Sequence, residues 1–230
     1  MTLDGTNTWI LRAPGEEACV VVDPGHEDVE HLTRVADCGP VALILITHRH
    51  IHHVEGAPWL AERTGAPVRA FDQTLCRDAE PLADAGTVTA AGLEIQVLHT
   101  PGHSDDSICF RLEDAVLTGD SIVGRGTTMV ASLGQYLDSL RLLGTISGAV
   151  VLPGHGEELP DLATVANEYL AHREQRLDQV RNALVRLGPD ASARQVAELV
   201  YADVGTELWG PAERSVQAQL EYLRSTAASG

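Results

Sequence analysis

The chain has 230 residues, with 44% hydrophobic and 21% charged side chains, enough for one substantial core and a small appendage. Its formal charge of −17, reached without a single lysine, sets up a field that repels polyanions. That argues against non-specific binding to nucleic acid or to anionic membranes, while leaving room for a local basic patch. No apolar run is long enough to cross a bilayer, and no basic segment followed by an apolar one opens the chain, so a cytoplasmic location is expected.

Strand and helix signals alternate along residues 1–159. Thr8 to Leu11 and Ala18 to Val22 read as strands, the second closed by the turn Asp23-Pro24-Gly25. Val29 to Ala36 suits a short helix, and Val41 to Ile46 is an apolar run of the kind found in a buried strand. A helix from about Ala57 to Arg63 stops at Gly65. Val68 to Phe71, Thr87 to Ala90, Leu93 to Leu98, Ser107 to Leu112 and Ala115 to Leu117 follow as strands. A helix over Leu133 to Leu143 then precedes the strand Ala149 to Leu152. The expectation is an α/β domain over residues 1–159.

Residues 160–230 read as helical. Leu177, Val180, Leu184 and Leu187 mark one face of a long helix ended by Gly188-Pro189, Ser192 can cap a second helix, and Pro211 can open a third. Three helices in this space suggest a small bundle or winged-helix-like module for packing, homo-oligomerisation or recognition. It carries a net −3, against −14 for residues 1–159. Cys19, Cys38, Cys76 and Cys109 are widely spaced without a C-x-x-C pair, so reduced and mostly buried thiols are expected.

The chemistry concentrates in the histidines. Thr47-His48-Arg49-His50-Ile51-His52-His53 follows the strand ending at Ile46, with the histidines expected on the loop leaving it. Protonated imidazoles so crowded would repel one another, and a bound divalent metal favours their neutral form. His103 in Thr100-Pro101-Gly102-His103, Asp120 in Thr118-Gly119-Asp120 and His155 in Pro153-Gly154-His155-Gly156 also end or follow strand-like stretches. Residues two apart on a strand-exit loop can point the same way, so His48 and His50 can share one ion with His103. His52 and His53 can turn toward a second, completed by His155, with one oxygen of Asp120 on each. Two such ions would hold a shared hydroxide whose parent water titrates near neutrality. His26, His31, His99 and His172 stand alone and receive no role; Asp23, Ser104 and Asp105 suit either turns or the orientation of ligands.

These motifs resemble the metallo-β-lactamase superfamily, whose signature is H-x-H-x-D-H followed by separate His, Asp and His motifs. Gly5-Thr6-Asn7-Thr8, Gly124-Arg125-Gly126-Thr127-Thr128 and His172-Arg173-Glu174-Gln175-Arg176 extend the likeness to the branch containing β-lactamase-like protein 2, similar to glyoxalase II in its core. The resemblance implies an αββα sandwich with ligands at one edge and a small C-terminal helical, winged-helix-like module. Because the first motif lies so near Met1, an edge strand that precedes it in the family is expected to be missing.

By position, the resemblance assigns His48, His50 and His103 to one metal, His53 and His155 to the other, and Asp120 to the bridge. His52 takes the place of an aspartate that ligates the second metal and handles a proton. Three outcomes are open: His52 ligates, the site becomes mononuclear, or His52 swings away to serve as a general base or substrate contact. Zinc is the expected metal, with iron or manganese as alternatives. The resemblance implies a hydrolase using a metal-bound hydroxide, with Asp120 and His52 as catalytic groups, acting on a thioester or other ester of a small metabolite. The alternatives are an endoribonuclease or phosphodiesterase and a non-catalytic metal-binding protein. Arg49 and Arg125 are candidate contacts for an anionic group on the substrate.

Overall fold

A computed structural model describes residues 5–202 and 209–227. Among these residues, nine strands form two sheets. The first contains β1 (Trp9–Leu11), β2 (Cys19–Val22), β3 (Val41–Leu45) and β4 (Val68–Arg69) in that spatial order, with β1 antiparallel to β2 and the other pairs parallel. The second contains β5 (Thr87–Ala90), β6 (Leu93–His99), β7 (Ile108–Arg111), β8 (Ala115–Gly119) and β9 (Val150–Pro153), antiparallel except for β8 with β9.

Alternate residues point to opposite faces of each strand, and this sorts the apolar side chains into layers. Val20, Val22, Leu43 and Leu45 face Ile95, Val97, Ile108, Phe110 and Leu117 between the sheets. The opposite face of the first sheet, with Cys19, Val21 and Ile44, is covered by Leu32 and Val35 of α1 (Val29–Ala36) and Leu60 and Ala61 of α3 (Ala57–Thr64). The opposite face of the second sheet is covered by α4 (Leu133–Leu143) and the start of α5 (Leu162–Leu187), through Tyr136, Leu140, Leu143, Val165 and Ala166. The result is the expected αββα sandwich.

The long α5 joins the two regions. Its first turns belong to the sandwich, whereas Val180 and Ala183 pack with α6 (Ala193–Val200) and α7 (Trp209–Ala227). Leu177 also meets Leu133 and Leu137 of α4, so the helical module rests on the sandwich. Ser192 caps α6 in a capping box with Gln195, as its position suggests. The third helix begins at Trp209, ahead of the expected Pro211. Among the described residues this module is wholly helical, and none of the described helices is long and apolar enough to cross a membrane. Cys19 and Cys109 are buried, Cys76 is half-buried and Cys38 is exposed, and all four are unpaired.

The element that differs most from expectation is at the histidine cluster. Instead of one open loop, the chain turns at His50 into a single helical turn, α2 (Ile51–Val54). His52 and His53 are therefore carried on a helix, consecutive residues about 100° apart around its axis.

Candidate metal centre

Register places the site. Val22 of β2 pairs with Leu45 of the parallel β3, so Asp23 and Thr47-His48 leave the sheet side by side, and the Asp23 N–H donates to Leu45 O at 3.0 Å. In the other sheet Gly119 of β8 pairs with Pro153 of β9, which sets Asp120 beside Gly154-His155; the Gly154 N–H donates to Gly119 O at 2.8 Å. The Ile108 N–H donates to Thr47 O at 2.9 Å and clamps the two sheets together at this edge.

The six expected histidines and Asp120 meet there. His48, His50, His103 and Asp120 form one group of potential ligand atoms within 4.8 Å of one another, and His52, His53, His155 and Asp120 form another. His50 Nδ1 lies 3.0 Å from His48 Nε2 and 2.9 Å from His103 Nε2. Asp120 stands between the groups. Its Oδ1 is 3.4 Å from His53 Nε2 and 3.3 Å from His155 Nε2, while Oδ2 is 3.4 Å from His103 Nε2, 3.9 Å from His48 Nε2 and 4.0 Å from His52 Nε2.

The donors fit divalent ions. Two ligand atoms each about 2.1 Å from a tetrahedral ion stand about 3.4 Å apart, close to the separations around Asp120. Moreover, His52 Nε2, His53 Nε2 and Asp120 Oδ1 are buried without a hydrogen-bond partner. Groups left so cost stability unless a further partner satisfies them.

Four of the six rings, those of His48, His53, His103 and His155, are anchored through Nδ1, which leaves Nε2 directed inward. His103 Nδ1 donates to Met129 O at 2.7 Å, and His155 Nδ1 to Gly5 O at 2.6 Å. Asp23 serves two rings. Its Oδ2 accepts from His53 Nδ1 at 2.8 Å and from Thr47 Oγ1 at 2.6 Å, and Thr47 Oγ1, with its proton so committed, accepts from His48 Nδ1 at 3.0 Å. The Thr47 N–H is held by Asp23 Oδ1 at 2.8 Å. Asp23 itself is buried with φ 51°, a left-handed conformation that aspartate tolerates better than most residues and that turns its carboxylate inward.

Burial opposes charge throughout the cluster. It is the leading cause that lowers His48, His50 and His103 below the usual imidazole value. Burial, reinforced by the charge of His53, brings His52 down to about 4. For His53, burial is outweighed by the carboxylates of Asp23 and Asp120, which raise it to about 9. His155 is also raised, burial being overcome by its contact with Asp120. Asp120, despite its burial, is held far below the carboxylate range by His155 and His53.

Close approach at this edge requires a glycine. A Cβ on Gly154 would stand 2.7 Å from Asp120 Oδ1 and 2.9 Å from His53 Cε1.

Arg49 is directed away into an ion pair with Asp105, and a second carboxylate, Asp106, lies at 3.8 Å. Asp106 also accepts from Ser104 Oγ at 2.7 Å, so Ser104 and Asp106 brace the loop carrying His103, while Asp105 holds Arg49. Arg125 borders an open cleft of about 570 Å³ with Gly5, Asn7, Gly156 and Glu157, next to His155. The four histidines without an assigned role fall outside both ligand groups: His26 pairs with Glu55, its ring 6.3 Å from that of His52, His31 meets Thr8, His99 stacks on Phe71, and His172 is on α5. Thr47 escaped sequence reasoning, although its place between a strand and the first histidine was a signal.

The chain also matches known proteins. The metallo-beta-lactamase superfamily profile matches residues 1–81. A Drosophila melanogaster protein named beta-lactamase-like protein 2 homolog is 31% identical over 97% of this chain and 83% of its own length. The atrochrysone carboxyl ACP thioesterase AgnL7 of Paecilomyces divaricatus is 30% identical over 90% of this chain and 69% of its own. The crystal structure of the metallo-beta-lactamase family protein TTHA1429 from Thermus thermophilus shares the fold with a TM-score of 0.78, at 23% identity, covering 97% of this chain and 89% of that one. Sequence, fold and the histidine-aspartate cluster agree: the chain belongs to the metallo-β-lactamase superfamily.

Proposed function

We propose that the chain is a metal-dependent hydrolase of acyl thioesters. His48, His50, His103 and Asp120 would hold one divalent ion, and His52, His53, His155 and Asp120 a second. The observation that carries this reading is the set of buried, partnerless atoms on His52, His53 and Asp120, arranged around the same carboxylate as the other donors. A set of imidazoles with one carboxylate suits zinc, and iron or manganese next. When bound, such ions supply Lewis acidity, lowering the pKa of water toward 7 and stabilising charge that develops on a carbonyl oxygen.

The chain's own residues do the rest. Asp120 presents Oδ1 to His53 and His155 and Oδ2 to His48 and His103, with His52 also on the Oδ2 side at 4.0 Å, so a single carboxylate spaces the two halves of the site. Asp23 fixes the tautomers of His53 directly and of His48 through Thr47. His52, at about 4, is neutral at pH 7, so its Nε2 lone pair is available to an ion or to a proton. Arg125, bordering the cleft beside His155, is placed to meet a carboxylate or phosphate on the substrate. Arg49 is committed to Asp105 and reaches a substrate only by exchanging that partner.

The thioester preference rests on the similarity to a carrier-protein thioesterase over most of both chains. A ribonuclease is disfavoured by the charge of −17. The test is release of free thiol from short-chain acyl thioesters by the zinc-loaded protein. We expect turnover that chelation abolishes and zinc restores, with Asp120→Ala lowering it about 100- to 1,000-fold, as loss of one preorganised electrostatic group does. Cleavage of single-stranded RNA without thioester turnover would assign the site to phosphoryl chemistry instead.

A further inference from the structure

A second site lies where the helical module meets the sandwich. A partly open cavity of about 460 Å³ is lined by residues 127–130, by α5 and by α7. Three arginines line it: Arg173 and Arg176 from α5, and Arg214 from α7. In a chain of charge −17, none of these three forms an ion pair with a carboxylate among the described residues. Their present partners are neutral. Arg173 donates to Thr128 O at 2.8 Å and lies over the Tyr136 ring, while Arg176 donates to Gln179 Oε1 at 2.9 Å and lies over the Tyr201 ring. Burial and the charges of Arg173 and Arg176 lower the neighbouring His172, which is neutral at pH 7 and adds no competing charge.

A second observation, independent of charge, points to a ligand. Gln219, 4% exposed, also lines the cavity; its Nε2 donates to Ser215 Oγ at 3.1 Å, but its Oε1 is buried without a donor. The cavity thus combines unneutralised guanidinium groups, which suit a phosphate, with a carbonyl that wants an amide N–H.

The cavity is tied to the metal centre through its own wall. Met129 borders the cavity, and its carbonyl accepts from His103 Nδ1 at 2.7 Å. Thr128, whose carbonyl accepts from Arg173, gives its hydroxyl proton to Asp120 O. Residues 128–129 therefore touch two candidate ligands on one side and the arginines on the other.

We propose that this cavity binds the phosphate ester on the thiol arm of the thioester substrate, with Arg176 and Arg214 holding the phosphate and Gln219 accepting from an amide of the arm. The assignment rests on the thioester reading for its choice of ligand, but binding can be measured without turnover. A pantetheine arm ending in phosphate carries both features, and so does the larger nucleotide thiol in which a second phosphate sits on the ribose.

The experiment is isothermal titration of the zinc-loaded full chain with 4′-phosphopantetheine, with pantetheine, and with adenosine 3′,5′-bisphosphate. Charge-assisted hydrogen bonds imply at least about a 10-fold tighter binding of phosphopantetheine than of pantetheine. Arg176→Gln and Arg214→Gln should each remove most of that difference while leaving pantetheine binding unchanged. Arginine-dependent binding of the bisphosphate would support the same site with the nucleotide phosphate as its source. Equal affinity for phosphopantetheine and pantetheine, with no bisphosphate binding, overturns the proposal. So does arginine-dependent binding of single-stranded RNA without a response to either phosphate ester. A protein that hydrolyses no thioester yet binds phosphopantetheine through these arginines would contradict the proposed function and leave this site standing.

Discussion

Asp23→Asn should weaken metal binding in a way that depends on pH. The amide keeps an oxygen for the Thr47 N–H, so the loop stays tethered, but an N–H group replaces the Oδ2 that accepts from Thr47 Oγ1 and His53 Nδ1. The amide N–H would then face the His53 Nδ1–H, donor against donor, and the ring relieves the clash by carrying its proton on Nε2. That is the nitrogen directed at Asp120, 3.4 Å from Oδ1, and once protonated it cannot hold a cation. Loss of such an orienting carboxylate costs about 10- to 100-fold in metal affinity.

A second effect opposes the first. In the metal-free protein Asp23, with Asp120, keeps His53 protonated up to about 9, so metal must first displace that proton. At pH 7 this costs about 3 kcal/mol, two pH units at about 1.4 kcal/mol each, and wild-type affinity climbs with pH until about 9. The asparagine variant, lacking the carboxylate charge, escapes most of this competition. Its deficit should be largest at about pH 9.5 and shrink toward pH 7. Zinc titration against a chromophoric chelator at both pH values measures this. A variant that binds zinc as tightly as the wild type at the higher pH would refute the reasoning.

Other outcomes follow from the same geometry. Replacing His52 by Ala should lower metal content below the two ions expected for the native chain, whereas His52→Asp should retain both; a native content near one, unchanged by alanine, would remove His52 from the ligands. Gly154→Ala drives a methyl group to 2.7 Å from Asp120 Oδ1 and should cost about 1–3 kcal/mol in stability along with the second metal, read by thermal unfolding and elemental analysis. Zinc loading at about pH 8 should release at least one proton per chain, largely from His53, and release should fall as pH rises through about 9; indicator-dye titration would show it, and no release at pH 8 would contradict the raised His53.

Much of this centre is legible in the sequence because strands deliver their ends to one edge of a sandwich. His48, His103, Asp120 and His155 each lie just beyond an apolar run, and parallel neighbours such as β8 and β9 must place their following residues together. The helical turn carrying His52 and His53 was not legible: four residues show no periodicity, and His50, at its start, is extended and gives it no side-chain cap. The role of Asp23 was only half visible. Its turn is evident from Asp-Pro-Gly, but its hold on two rings depends on the register between β2 and β3, which local sequence does not encode. The arginine cavity was still less visible, since Arg173 and Arg214 come from helices distant in sequence and converge only where the module packs on residues 127–130.

In the proposed function one buried carboxylate, Asp120, spaces two groups of imidazoles that would each take a divalent ion. Elemental analysis of the purified, zinc-incubated chain after gel filtration, alongside Asp120→Ala, tests it most directly. Close to two ions per wild-type chain are expected, and at most one in the variant. A folded wild-type chain that retains no first-row metal, or an alanine variant that keeps both ions, would contradict it.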